Sequence, residues 1–153
     1  MPGEKGRLNS LPSFVALFVL ADAVAAAGGH KAMARLVSCA AAGVPREIIG
    51  EGPIPASELA LDKAGLTLDQ MDVIEGNEAF AAQAIAVSRG LARDMARANP
   101  NGGAIPPGHP IGCSGAFLAT KAVYELHRTG GEHAPVTMCI GGGQGIAAVF
   151  ERL

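Results

Sequence analysis

The sequence has no tryptophan, a single tyrosine and only 4% aromatic residues, so it lacks the stacking platforms on which single-stranded nucleic acid is held. Charge is sparse as well. Charged residues make up 17% of the chain, with 12 Lys and Arg against 14 Asp and Glu for a net charge of -2. That balance suits neither a polyanion-binding tail nor a disordered polyelectrolyte, and no nucleic-acid partner is expected. The three cysteines, Cys39, Cys113 and Cys139, are odd in number and form no C-x-x-C pair. This argues against a zinc site or a disulfide framework and makes a reducing compartment, the cytoplasm, the default.

No apolar run reaches the ~20 residues that span a bilayer. Leu11 to Ala27 comes nearest and follows Lys5 and Arg7 much as a signal peptide would, but it contains Ser13 and Asp22. A better reading divides it into a buried strand, Phe14 to Leu20, and a short helix, Ala21 to Ala27, closed by Gly28 and Gly29. No membrane partner is expected.

What remains is a chain of 153 residues that is 49% hydrophobic, enough for one domain with a real core. It holds 29 Ala and 21 Gly without a Gly-X-Y period, which predicts close packing and tight turns rather than a collagen-like repeat. The spacing predicts a second strand over Ala34 to Ala41, ended by Gly43, Val44 and Pro45, and a helix over Ala56 to Ala64, led in by Pro53 and Pro55 and stopped at Gly65. Thr67 to Gln70 read as a turn before a strand at Asp72 to Glu75. Phe80, Ala84, Val87 and Leu91 form an apolar stripe on a helix reaching about Arg97, with Gln83 and Arg89 off the stripe.

Asn99 to Gly115 carries four Pro and five Gly, more than a connector requires, and such loops often carry function. Ser114 to about Arg128 predicts a second amphipathic helix with Ala116, Ala119, Val123 and Leu126 inward and Lys121, Glu125 and Arg128 outward. Pro135 to Ile140 and Ile146 to Phe150 are apolar runs joined by Gly141, Gly142, Gly143, Gln144 and Gly145, the pattern of a hairpin. Alternating strands and helices with this antiparallel ending predict a mostly parallel, mixed α/β sheet covered by helices.

Several residues could carry chemistry. Cys139 ends an apolar strand beside glycines whose amides could face developing negative charge, though a buried cysteine at a tight hairpin has the same signature. His109 lies in the glycine and proline loop as Gly-His-Pro, where an ordinary loop histidine is the alternative. Asn77 and Glu78 follow a strand at the edge where α/β sheets bind ligands, and simple helix capping by Asn77 is the competing reading. Cys113 lies near a helix start that favours thiolate, yet packing among small residues explains it equally. Arg89, Arg93 and Arg97 at i, i+4 spacing suit a phosphate or a solvated face. The glycines at 141 to 145 fail the dinucleotide fingerprint, because its third position falls on Ile146 and no helix can follow.

Taken in order, NEAFAAQA at 77 to 84, GGAIPPGHPIGCSGA at 102 to 116 and CIGGGQGIA at 139 to 147 resemble the C-terminal domain of thiolases, most of all the bacterial acetoacetyl-CoA thiolases (acetyl-CoA acetyltransferases) and the broader β-ketoacyl-CoA thiolases. GPIPA at 52 to 56 adds a fourth match, and the similarity runs from about Phe14 to Leu153. The resemblance implies a mixed five-stranded sheet between helix layers over residues 14–153, preceded by an atypical segment, 1–13. It also implies catalysis at a seam between two halves, of which this chain looks like the second, with the N-terminal half absent.

By the same resemblance, the N-terminal half would supply the cysteine that takes up the acyl group. His109 would activate that cysteine and help bind the thioester oxygen, and Cys139 would move the α-proton. Asn77 would hold a water in the first oxyanion hole, the amide of Gly141 would serve the second, and Glu78 would support them. No permanent cofactor or metal is implied; a CoA thioester is the substrate, and the partner is a thiolase N-terminal half or a second copy.

The sequence also departs from the family pattern. Pro106 and Pro107 replace small and Leu-like residues, Gly76 replaces an aliphatic residue and Cys113 replaces Ala. Three readings follow: part of an acyltransferase, inactive alone; a fold-retaining module or partner subunit without chemistry; or a stand-alone thiol enzyme using Cys113 or Cys139 with His109 as base.

Overall fold

The computed structural model describes residues 15–92, 94, 96–103, 105 and 108–153. The segment 1–13, Phe14, Arg93, Pro106 and Pro107, on which some of the expectations rest, lie outside the described residues. Within them α1 spans Asp22–Ala27, β1 Ala34–Gly43, α2 Pro53–Ala64, β2 Glu75–Gly76, α3 Ala81–Gly90, α4 Ser114–Thr129, β3 His133–Ile140 and β4 Gln144–Arg152. The strands form one sheet in the order β1-β4-β3-β2.

Two of the three strand pairings, β1 with β4 and β3 with β4, are antiparallel, and only the short β2 runs parallel to β3. The sheet is therefore mixed, as expected, but mostly antiparallel, and it has four described strands instead of five. The hairpin explains the difference. It adds β4 between β3 and β1, so a strand from early in the chain pairs with the last one.

Strand parity divides the core in two. Ala147 and Val149 of β4 face α2, where they pack with Ala40, Ala56, Ala60, Leu61, Met71 and Ile74. Ala134 and Val136 of β3 join Phe150 on the opposite face with Leu118, Ala119, Ala122 and Leu126 of α4. All of Ala134, Pro135, Val136 and Thr137 are buried, as expected for a strand covered on both faces.

The helices end where their punctuation predicts. Pro53 occupies the first turn of α2 and Gly65 closes it at φ 69°, while Gly130 closes α4 at φ 78°. Both glycines adopt the left-handed conformation that side-chain-bearing residues resist.

Four local expectations give way to packing. The described part of the predicted first strand, Val15 to Leu20, has no regular structure and leaves Phe18 92% exposed; apolar character alone does not make a strand. The predicted strand over 72–75 shrinks to Glu75–Gly76, because Ile74 bridges instead to Ala98 and donates its N–H to Arg97 O. The helix expected to reach Arg97 stops at Gly90. Its buried side chains are Gln83 and Val87, whereas Phe80 is exposed, because α3 packs on the turn at Arg46–Glu51 and Gln83 Nε2 donates to Gly50 O at 3.2 Å. On α4, Glu125 points inward and is only 3% exposed, held by Arg128 and Asn101.

Candidate active site

The carboxyl ends of β2 and β3 lie side by side, since Glu75 pairs with Val136 and Gly76 with Thr137 in a parallel register. Asn77 continues from β2 by donating its N–H to Thr137 O at 2.9 Å, and Cys139 follows two residues further along β3. Sheet topology thus brings Asn77 and Cys139 to one edge. Asn77 does not cap α3, whose N-cap is Phe80. Its side chain is buried, and its Nδ2 lies 3.3 Å from Nε2 of His109.

His109 is held from both sides. Its Nδ1 lies 2.6 Å from Oγ of Ser114, and that hydroxyl also donates to Pro110 O at 3.1 Å. A hydroxyl has one proton to donate. With that proton on Pro110 O, the network is satisfied by an imidazole whose Nδ1–H donates to Ser114 and whose bare Nε2 accepts from Asn77. This tautomer puts the basic lone pair on the nitrogen facing Asn77, where a base is useful. Asn77 Oδ1 is buried and has no partner among the described residues.

The loop that delivers His109 is fastened to the residues following β2. Asn99 brackets Gly76, accepting its N–H at 2.9 Å and donating to its O at 3.0 Å. It also donates to Glu78 Oε1 at 2.9 Å. Glu78 Oε2 in turn accepts the Ile105 N–H at 3.2 Å. Gly103 runs so close to this carboxylate that a Cβ there would lie 1.8 Å from Oε2, so a side chain at 103 would push the carboxylate off its hydrogen bonds. Glu78 is therefore a loop anchor in this structure.

The second glycine cluster is organised by backbone alone. Gly142 and Gly143 have φ of 80° and 75°, and Gly143 O accepts the Val44 N–H at 2.7 Å. Positive φ at successive residues is the hairpin turn that demands glycine. Gly145, opposite Cys139 in the ladder, touches Gly52: a Cβ on Gly145 would lie 2.1 Å from the Gly52 carbonyl carbon. Gly141 is exposed at the turn, and Cys139 is half-buried and free.

Other candidates fall elsewhere. Cys113 is the N-cap of α4, half-buried and free. Arg97 is engaged structurally, donating to Asp69 O and Met71 O and pairing with Asp94, so it does not join Arg89 as a phosphate site. Glu132, His133 and Glu151 gather ligand-type atoms within 4.8 Å of one another at the opposite end of β3, but Glu151 is already paired with Arg35. Sequence reasoning missed Ser114, Asn99 and Gly103. Ser114 lies five residues after His109 at a helix start, a readable signal; Asn99 offered none.

The family model for the thiolase C-terminal domain matches residues 30–152. The chain belongs to the thiolase family. It is 54% identical over 151 residues to the β-ketothiolase BktB of Cupriavidus necator, covering 99% of this chain and 38% of that protein. It is also 54% identical over 140 residues to the 3-oxoadipyl-CoA/3-oxo-5,6-dehydrosuberyl-CoA thiolase of Escherichia coli, covering 90% and 35% respectively.

Among solved structures, the Bacillus anthracis acetyl-CoA acetyltransferase superposes with a TM-score of 0.85 at 40% identity over 88% of this chain and 34% of that one. The human mitochondrial 3-ketoacyl-CoA thiolase in complex with CoA gives 0.84 at 45% identity over 86% and 34%. The thiolase domain described here thus spans a little over a third of the length of these relatives.

Proposed function

We propose that this thiolase domain supplies the C-terminal share of a β-ketoacyl-CoA thiolase site that acts on CoA thioesters. The observation that carries the reading is the Asn77–His109 contact, with the other ring nitrogen on Ser114, at the sheet edge where Cys139 ends β3. The relatives' names support the substrate class, and the solved human thiolase is described in complex with CoA.

A Claisen condensation needs a nucleophile, a base at the α-carbon and donors for two successive oxyanions. In this reading His109 Nε2 takes the proton of a cysteine thiol supplied by the part of the thiolase these 153 residues do not span. The thiolate displaces CoA from the first acyl group. The departing CoA takes the proton of the Cys139 thiol, and the Cys139 thiolate then removes the α-proton of a second acyl-CoA. The resulting carbanion attacks the acyl carbon, forming the new carbon–carbon bond and releasing the enzyme cysteine as a thiolate, which regains its proton from His109. The protonated His109, and a water held by the unpartnered Asn77 Oδ1, stabilise the enolate oxygen. The amide of Gly141 serves the tetrahedral oxyanion at the acylated cysteine, and Glu78 keeps the His109 loop in register.

The partner is a thiolase N-terminal half, with a second copy of the chain as the further contact. A reducing compartment such as the cytoplasm suits three free cysteines. Among the described residues no helix is long and apolar enough to cross a membrane.

The test is acetoacetyl-CoA cleavage by the purified chain, alone and mixed with the N-terminal part of the Cupriavidus relative. The chain alone is expected to be inactive, because removing the nucleophile from a catalytic triad leaves at most about 10³ to 10⁴ over water. Mixing is expected to restore turnover that His109→Ala and Cys139→Ala abolish. Turnover by the chain alone, or a restored activity indifferent to both substitutions, would overturn the reading.

A further inference from the structure

Beneath the His109 loop lies a cation that the reaction outlined above does not use. Lys121, in the middle of α4, is 13% exposed at its side chain and donates to Glu75 Oε2 at 2.8 Å and to Gly102 O at 2.5 Å. Glu75 is fully buried, and its second oxygen, Oε1, has no partner among the described residues. One turn further along α4, Glu125 accepts from Asn101 Nδ2 at 2.8 Å. The helix therefore grips successive loop residues, 101 and 102. Its first residue, Ser114, holds His109 at the other end of the loop.

These contacts close a ring. Glu75 lies two residues before Asn77, and Gly102 lies seven residues before His109. The two chain segments that meet at Lys121 meet again where Asn77 touches His109. A buried ion pair is a poor stabiliser compared with apolar groups of the same volume, so stability alone is a weak reason to place one here. Lys121 joins two segments that no apolar side chain could hydrogen-bond.

We propose that Lys121 and Glu75 are positioning residues for the candidate site: the ammonium of Lys121 pins Gly102 to β2 and so sets the distance between His109 and Asn77. The inference deepens the thiolase reading of His109 and rests on it for its functional meaning. Neither residue touches substrate; both act through the loop.

The experiment uses the full 153-residue chain and compares it with Lys121→Met and with the double variant Glu75→Gln/Lys121→Met, which removes both charges. Two quantities are read by NMR: amide exchange at Gly102, whose N–H donates to Asn99 O at 2.9 Å, and the pH titration of the His109 ring. Lys121→Met is expected to speed Gly102 exchange on the order of tenfold and to move the His109 midpoint.

The double variant is expected to regain melting temperature while keeping both changes, since it restores charge balance but not the donor to Gly102 O. Wild-type exchange and titration in the double variant would overturn the proposal. So would a rise in exchange spread evenly through α4 and the sheet with no excess at Gly102, which would make the pair purely structural. Neither readout requires turnover, so failure here is distinguishable from failure of the complementation that tests the thiolase reading.

Discussion

The two helices that sandwich the sheet do so by different means. α2 packs through Ala56, Ala60 and Leu61 and, at its start, through bare backbone, with Gly52 against Gly145. α4 packs an apolar stripe of Leu118, Ala122 and Leu126 on one face, yet it also buries Glu125 and part of Lys121 against the loop and β2. One side is closed by the absence of side chains and the other by charged side chains with partners. The α2 side fixes where β4 and the glycine hairpin sit; the α4 side fixes where His109 sits. Substitutions at the backbone contact on the first should damage the fold, and substitutions of the polar loop contacts on the second should damage the site before the fold.

The largest effect is expected for Gly145→Ala. The new methyl would meet the Gly52 backbone, which cannot rotate away, so a loss of about 3 kcal/mol or more in chemical denaturation is predicted. Leu126→Ala, fully buried on the α4 side, should cost about 2 to 5 kcal/mol by the same measurement. If Gly145→Ala proves milder than Leu126→Ala, the backbone contact at the α2 start is looser than described, and the contrast between the two sides weakens.

Smaller in stability but sharper in function is Ser114→Ala. It leaves the helix but removes the acceptor for His109 Nδ1–H, so the imidazole loses its preferred tautomer. In the complemented enzyme kcat should fall on the order of tenfold, equivalent to about 1.4 kcal/mol, with melting little changed. A drop in melting temperature without a drop in kcat would place Ser114 among the helix-start residues only.

The smallest effect concerns acid. The Arg128 guanidinium beside Glu125, helped by Asn101, holds the Glu125 carboxyl down at about 2 despite its burial. A folded-state value below the unfolded one stabilises the protein above the ordinary carboxylate range, and that contribution is lost as pH falls toward 2. Glu125→Gln should therefore flatten the decline of melting temperature between about pH 4.5 and pH 2. An unchanged slope would show that the pair is too well solvated to contribute. Glu75 has the opposite shift, raised by burial against the pull of Lys121, so it adds nothing to that decline.

Much of this was legible in the residues. The hairpin, α2 with its Pro53 start and Gly65 stop, and α4 with its Gly130 stop all follow local rules that tertiary contacts did not override. The catalytic candidates came from motifs, and the structure places Asn77 against His109 and Cys139 on the neighbouring strand end.

What the sequence did not disclose are contacts made across the chain. Glu125 and Lys121 look like outward charges because α4 is amphipathic, and only the loop folded over them makes them interior. Gln83 became buried because α3 packs on a turn and not on the sheet. The antiparallel majority of the sheet arises from β1 pairing with β4, a contact between residues more than a hundred positions apart that no local pattern encodes. Phe18, apolar and exposed, shows the converse: hydrophobicity specifies burial only where a surface is present to cover it.

In the proposed reaction His109 and Cys139 divide the work of one site, the first at the acylated cysteine and the second at the α-carbon. Intact-mass measurement after incubation with acetyl-CoA tests it most directly, using this chain mixed with the thiolase N-terminal half. An acyl adduct is expected on the complementing half with the wild-type chain and with Cys139→Ala, and is expected to be lost or strongly slowed with His109→Ala. Equal acylation in the presence of His109→Ala, or an adduct on Cys113 or Cys139 of this chain, would contradict it.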